Sequence, residues 1–208
     1  WATCLGDSAK SCMFNVQFAN GAKDSNSSPF YDYTKKALYV GDDNGVLHKF
    51  TGVFNGTPAE VTTGNWPITV HSGFVLTSPV FEMTSGNIFV GDSNGQLSYV
   101  RETSSTVGTC RAGSTPCLGS TVQALAGAVV DPPVVDGSTG RVFAFEGTDT
   151  TNNGTVYQFD TALSAASLRS VKVGTYYAGY HQSYMHAGTF DNTYYNSVNG
   201  TGHLFVCG

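Results

Sequence analysis

Residues 37–50 read ALYVGDDNGVLHKF, and residues 87–100 read NIFVGDSNGQLSYV. Each stretch runs from an apolar strand into Gly-Asp-x-Asn-Gly and out into an alternating strand. Gly41 and Gly91 stand 50 residues apart. Recurrence of one turn phrase at a period near 50 is the mark of a repeat architecture. In the turn itself, Gly supplies positive φ, and Asp and Asn bond to nearby backbone.

An acidic residue ahead of each Gly-rich hairpin serves as a ruler. Asp32 closes SSPFYD, Glu82 closes TSPVFE, Asp136 closes DPPVVD and Asp191 closes HAGTFD, at spacings of 50, 54 and 55 residues. A second apolar strand follows each one: ALYVG, NIFVG, RVFAFEG and HLFVC. A third strand follows in three of the four, as GVLHKF, GQLSYV and GTVYQF. Less regular fourth strands fall at Trp66–Val70 and Leu168–Val173. Four short antiparallel strands per unit, repeated at this period, predict an all-β β-propeller of about four blade-equivalents. A sandwich also uses short strands but has no reason to repeat one turn phrase.

The expected blades are 27–74, 77–125, 131–178 and a partial 186–208, with an outer strand at 12–18. The chain would then be a single propeller domain, or part of a larger or assembled one. An arc of blades exposes an apolar face and unpaired edges, so self-association or blades supplied by another segment is expected. The competing reading is a closed four-bladed ring.

Composition sets further bounds. The 208 residues are 40% apolar and 12% aromatic, ample for a core, but only 12% charged. The net charge of −5, with ten scattered basic residues, argues against nucleic acid as a partner. No apolar run reaches the ~18 residues of a membrane-spanning helix. Cys4 and Cys12 enclose one short polar loop, and Cys110 and Cys117 another. Local disulfides Cys4–Cys12 and Cys110–Cys117 are expected, with free thiols as the alternative. Disulfides imply an oxidising compartment, extracellular or periplasmic. Cys207 is left over.

The phrases SPF…ALYVGDDNGVLHKF and SPVF…IFVGDSNGQLSYV resemble the repeats of quinoprotein-type propellers, and SSPFYDY, LYVGDDNG and GTFDN resemble phrases of secreted bacterial propeller proteins. The resemblance covers the chain from about Ser27 onward. It implies the fold and leaves function open, because many functions share that fold. The enzymes of that group bind pyrroloquinoline quinone beneath a vicinal disulfide. Adjacent cysteines are missing here and Trp66 is the sole internal Trp, so no cofactor is carried over.

Ligands of propellers meet the loops at the central mouth. Counting back five from each ruler acid gives Ser27, Thr77, Asp131 and His186, a position that changes chemistry within a repeating frame. It reads either as a specificity position or as drift at a solvated loop. The segment YYAGYHQSYMHAGTFDNTYY adds His181, Tyr180 and Tyr184, together with Tyr176, Tyr177, Tyr194 and Tyr195; His71 lies in an equivalent loop of the first blade. Exposed Tyr and His can stack on a sugar ring and bond its hydroxyls, and two or three His could hold copper or zinc, while buried Tyr would pack between blades. The candidate ligand-binding residues are Asp131, His186, His181, Tyr180, Tyr184 and His71. His48 and His203 read as structural residues within strands. No catalytic residue and no metal set is assigned: Asp131 is the sole acid at the mouth position, whereas a glycosidase needs two. The leading expectation is a secreted, non-catalytic propeller binding a ligand or partner, a glycan or a protein, at its loop-rich funnel face, with a carbohydrate-active hydrolase or lyase, or a degenerate quinoprotein, as the alternative.

Overall fold

The computed structural model describes residues 7, 9, 12–103, 107–111, 115–119, 123–148, 153–173, 184–197 and 201–207. The chain folds into successive antiparallel sheets that follow the ruler acids. The first blade holds β1 (Phe30–Asp32), β2 (Ala37–Gly41), β3 (Val46–Thr51), β4 (Ala59–Glu60) and β5 (Ile68–Thr69). The second repeats it with β6 (Val80–Glu82), β7 (Asn87–Gly91), β8 (Gln96–Arg101), β9 (Cys117–Leu118) and β10 (Gln123–Ala124). The third is β11 (Val134–Asp136), β12 (Arg141–Glu146), β13 (Gly154–Asp160) and β14 (Arg169–Val173). A fourth unit pairs β15 (Thr189–Phe190) with β16 (Leu204–Phe205), with the short helix α1 (Asn192–Asn196) between them. The structure is an all-β fold of propeller-type blades, as the repeat predicts.

The ruler acids begin this order. Each ends an inner strand and caps the turn to the next: Asp32 accepts from the backbone N–H groups of Thr34 and Lys35, Glu82 from Thr84 and Ser85, and Asp136 from Ser138 and Thr139. Asp191 instead caps α1, accepting from the Tyr194 N–H at 2.7 Å. The pairings Phe81↔Ile88, Val135↔Val142 and Phe190↔Leu204 therefore occupy one register in three successive units.

The Gly-Asp-x-Asn-Gly phrase does two jobs. Oδ1 of Asp42 accepts from the N–H groups of Asn44 and Val46, and Oδ1 of Asp92 from those of Asn94 and Gln96, so each Asp closes its own turn. The glycines seat the next blade. Gly45 has φ +88°, and a Cβ there would lie 1.8 Å from the His71 carbonyl oxygen. At Gly91 a Cβ would lie 2.6 Å from a methyl of Val129. The loops leaving one blade thus lie against the turns of that blade, with the N–H groups of Val70 and Leu125 donating to Gly45 and Gly95.

Stability comes from blade against blade. Tyr39 and Leu47 of the first blade share a core with Ile88, Val90 and Val100 of the second. Phe89, Leu97 and Tyr99 of the second pack on Val142, Ala144 and Phe159 of the third. Phe143 and Phe145 of the third pack on Met185, Phe190 and Tyr194 of the fourth unit. A second strand buried on both sides carries apolar residues at successive positions, and β7 is buried throughout.

The outer strands depart from expectation. In the first blade the outer edge is split: β4 pairs one end of β3 and β5 the other. The second blade is split likewise between β9 and β10. The expected strand at 168–173 forms as β14. Residues 12–18 form no strand. Their end bonds to the first blade instead: Phe18 stacks on His48 with ring centroids 4.1 Å apart, and the Ala19 N–H donates to Glu60. The bridge Cys110–Cys117 is present. The second expected bridge has Cys4 at one end, which lies outside the described residues. Cys207 is a free, exposed thiol.

Candidate functional site

The residues counted back from the ruler acids lie in the segments that lead into the inner strands. Ser27 and Thr77 lie buried there, and their hydroxyl oxygens accept from the N–H groups of Gly41 and Gly91, each at 3.0 Å. Both hydroxyls are therefore consumed in holding the end of a second strand. One residue on, the Ser28 N–H donates to the Ser78 hydroxyl at 2.7 Å, joining the first blade to the second.

At the third blade the count of five breaks. Leu76, six residues before Glu82, bridges to Asp92, whereas Val129, seven residues before Asp136, bridges to Glu146. The additional residue falls in the run Asp131-Pro132-Pro133, so Asp131 does not occupy the Thr77 position. Its carboxylate turns to the fourth unit instead. Oδ2 of Asp131 accepts from the Ala187 N–H at 2.8 Å and lies 3.1 Å from Nδ1 of His186.

Met185 explains the presentation of its neighbours. Its side chain is 2% exposed and sits in the core between the third blade and the fourth unit. In an extended chain, side chains alternate sides. With Met185 inside, Tyr184 is thrown outward at 57% exposure, and the His186 side chain at 76%. Tyr184 and His186 thus face outward on either side of one buried thioether, with His186 against the Asp131 carboxylate.

The other candidates are placed differently. His71 is paired with Asp92, Nδ1 to Oδ2 at 2.6 Å, and ties the loop after the first blade to the turn of the second. Tyr180 and His181 lie outside the described residues. Tyr194 and Tyr195 follow β15 and ride on α1, at the opposite end of the inner strand from Asp131. There Phe190, Tyr194, Tyr195 and Asp136 line a hollow of about 150 Å3. The Tyr194 hydroxyl donates to Asp136, beside the Ser138 and Thr139 hydroxyls. Burial alone would raise the Asp136 carboxyl, but these donors outweigh it and hold the group well below the usual carboxylate range. Burial and the Asp136 charge push the Tyr194 phenol up.

His48 is structural, as expected, and its setting is specific. It is fully buried, with Nδ1 2.6 Å from Glu60 and Nε2 3.2 Å from Asp42. The Asn20 amide donates to the same Asp42 oxygen at 2.7 Å. Burial works against ionising Asp42, yet the Asn20, Val46 and His48 donors leave its carboxyl lowered. His203 precedes β16 rather than lying within it, and bonds Asp191 at 2.9 Å from an exposed position. Among the described residues, no group of three His, Cys, Asp or Glu is placed to hold a metal ion, and no helix is long and apolar enough to cross a membrane.

These sheets and their blade-on-blade cores define a β-propeller fold. Neither a family model nor a curated protein sequence matches the chain. Among solved structures it is similar to Sqt1 of Saccharomyces cerevisiae, at 14% identity and a TM-score of 0.51 over 83% of this chain. The match covers 43% of the Sqt1 chain, so this chain spans less than half the length of that relative. The likeness is one of fold.

Proposed function

We propose that the chain is a non-catalytic binding scaffold that holds a protein partner at the mouth formed by Tyr184, His186 and Asp131. The observation that supports this is the contrast along the mouth. Ser27 and Thr77 are spent internally, whereas His186 and Tyr184 are held outward by a buried anchor. Tyr offers an apolar ring with a polar tip and His a polar ring, the mixture that suits a partly wet protein contact. The carboxylates beside the mouth have structural work: the ruler acids cap turns, and Asp92 closes one while pairing with His71.

The Cys110–Cys117 bridge favours an oxidising compartment, extracellular or periplasmic. The test is quantitative capture by the immobilised chain beside an Asp131→Ala/His186→Ala double variant, with proteins from the medium of the source cells and a glycan array as the two arms. A protein retained by the parent chain and lost by the variant is expected. Retention of glycans alone would move the assignment to carbohydrate. A hydrolase or lyase turnover abolished by the same substitutions would replace binding with catalysis.

A further inference from the structure

At one blade interface the chain seats a cation of its own against a ring and an acid. Between the first and second blades, Nζ of Lys35 lies 4.1 Å from the ring centroid of Phe81, three residues on from the ruler acid Asp32. Burial lowers the Lys35 amine, and the Glu102 and Asp32 carboxylates work against that. Among the described residues its Nζ makes no hydrogen bond. The ammonium is held by a ring face and by neighbouring charge.

The interface of the third blade with the fourth unit repeats the ring and the acid without the cation. Phe190↔Leu204 has the register of Phe81↔Ile88, so Phe190 stands where Phe81 does. Asp136↔Arg141 has the register of Asp32↔Ala37, so Asp136 stands where Asp32 does. Three residues on from Asp136 comes Thr139, which brings no charge. Here lies the hollow of about 150 Å3, with Asp136, Ser138, Phe190, Tyr194 and Tyr195 among its walls. Phe190 and Tyr194 are stacked with centroids 3.9 Å apart, and Tyr195 stands at 84° and 87° to them. Ring surface therefore bounds the hollow in two nearly perpendicular planes. Arg141 pairs with Asp136 across strands, but its effect on the Tyr194 phenol is the smallest of those acting there, and it does not line the hollow. At the interface between these two, Val135 takes the place of the ring.

Asp136 restricts the kind of cation further. Its oxygens accept from the Ser138 and Thr139 N–H groups and from the Ser138, Thr139 and Tyr194 hydroxyls. A carboxylate has about four lone-pair sites, so no capacity is left for an N–H of a ligand, while the negative charge remains. We infer that this hollow binds a quaternary ammonium group. Such a group carries charge without N–H donors and lays its methyls on ring faces. Sites for drug-sized ligands run to roughly 300–1,000 Å3, so this one takes a single head group, borne by a free small molecule or by a methylated protein side chain. The inference does not rest on binding at the mouth, which lies at the opposite end of the inner strand.

Choline and a short peptide carrying one trimethyllysine are the probes, titrated with the whole chain and followed by the shift of their N-methyl protons. Saturable binding is expected, and the tighter of the two names the source of the head group. The neutral isostere of choline, with carbon in place of nitrogen, should bind at least about tenfold more weakly. Tyr195→Ala should weaken choline binding about threefold, the loss of one exposed cation–π contact. Tyr195 is 69% exposed, so that variant should keep the parent melting temperature. Thr139→Lys should abolish binding, because it supplies an ammonium from the position that corresponds to Lys35. Absence of saturable binding of both probes up to about 10 mM, beyond the millimolar end of the affinity scale, would overturn the inference. So would equal binding of the neutral isostere, or undiminished binding by the Tyr195→Ala chain.

Discussion

Nδ1 of His71 lies 2.6 Å from Oδ2 of Asp92, so a residue on the loop leaving the first blade is paired to the turn of the second. Asn20 does the same for the first blade, donating to Oδ2 of Asp42 at 2.7 Å. The segment before β1 therefore meets the turn of the first blade as the loop leaving the first blade meets the turn of the second. In the first blade the carboxylate also meets His48, which is buried between Asp42 and Glu60. Removing the shared hydrogen-bond partner of two buried carboxylates leaves both unsatisfied, which costs about 1–3 kcal/mol for each. His48→Ala should destabilise the chain by that order in urea unfolding, well beyond His71→Ala, whose side chain is partly exposed. Equal effects of the two substitutions would contradict this placement.

Gly45 and Gly73 separate conformation from crowding. Both have positive φ, +88° and +84°. A Cβ at Gly45 would run into the His71 carbonyl, whereas nothing lies within 4 Å of one at Gly73. Gly73→Ala should cost about 1 kcal/mol, the penalty for a non-glycine residue in the left-handed region. Gly45→Ala should cost that plus about 1–3 kcal/mol of overpacking. Paired denaturation curves read the difference, and equal costs would refute the close approach.

The Cys110–Cys117 bridge closes a loop in which the cysteines are seven residues apart. In the chain-entropy model, closing so short a loop stabilises by roughly 2–3 kcal/mol. Cys110→Ala/Cys117→Ala should lose about that much, and the parent chain under reducing conditions should match the double variant. Non-reducing peptide mapping in which Cys110 and Cys117 are both alkylated would show the bridge to be absent.

Asp136 sets part of the acid response. Its carboxyl is held low in the folded chain by the Ser138, Thr139 and Tyr194 hydroxyls, whereas an unfolded Asp titrates near about 3.9. Between those values the unfolded state binds more protons, so stability rises with pH there. The contribution is complete above the unfolded value and is lost as pH falls through the folded one. Asp136→Asn should therefore be less stable than the parent at about pH 7 and show a flatter loss from about pH 4 downward. Some slope should remain, because donors also lower Asp42, Glu82 and Asp191. Parallel acid-loss curves for parent and variant would contradict the assignment.

Much of this architecture was legible in the sequence because the inner elements repeat their chemistry. The ruler acids cap turns, and the Gly-Asp-x-Asn-Gly glycines sit where a neighbour leaves no room for a side chain, so both are constrained residue by residue. The outer strands are not. β4, β5, β9 and β10 are two residues each and draw on backbone pairing at an edge, which leaves little side-chain pattern. Asn192–Asn196 was hidden for a related reason: five residues after a capping Asp, with Tyr194 as the buried one, have no helical periodicity to display. The alternation Phe14, Val16, Phe18 looks like a strand, yet residues 12–18 form none, and Phe18 packs on His48 and Phe50 of the first blade. At the mouth, counting five residues back identified Ser27 and Thr77 as equivalent, and they are. It misaligned Asp131 because Pro132-Pro133 brings one more residue into the frame. Met185, buried between the exposed Tyr184 and His186, was overlooked. The signal was an apolar residue between two polar aromatic ones in Tyr-Met-His.

The most direct test of binding at the mouth is site-specific photo-crosslinking from position 184, with a photoreactive tyrosine analogue in place of Tyr184, in the parent chain and in the Asp131→Ala/His186→Ala background. One defined protein adduct in the parent, reduced at least about tenfold in the double variant with the fold intact by circular dichroism, is the predicted result. An adduct of equal yield in both backgrounds, or turnover of a substrate that disappears with the two substitutions, would contradict it.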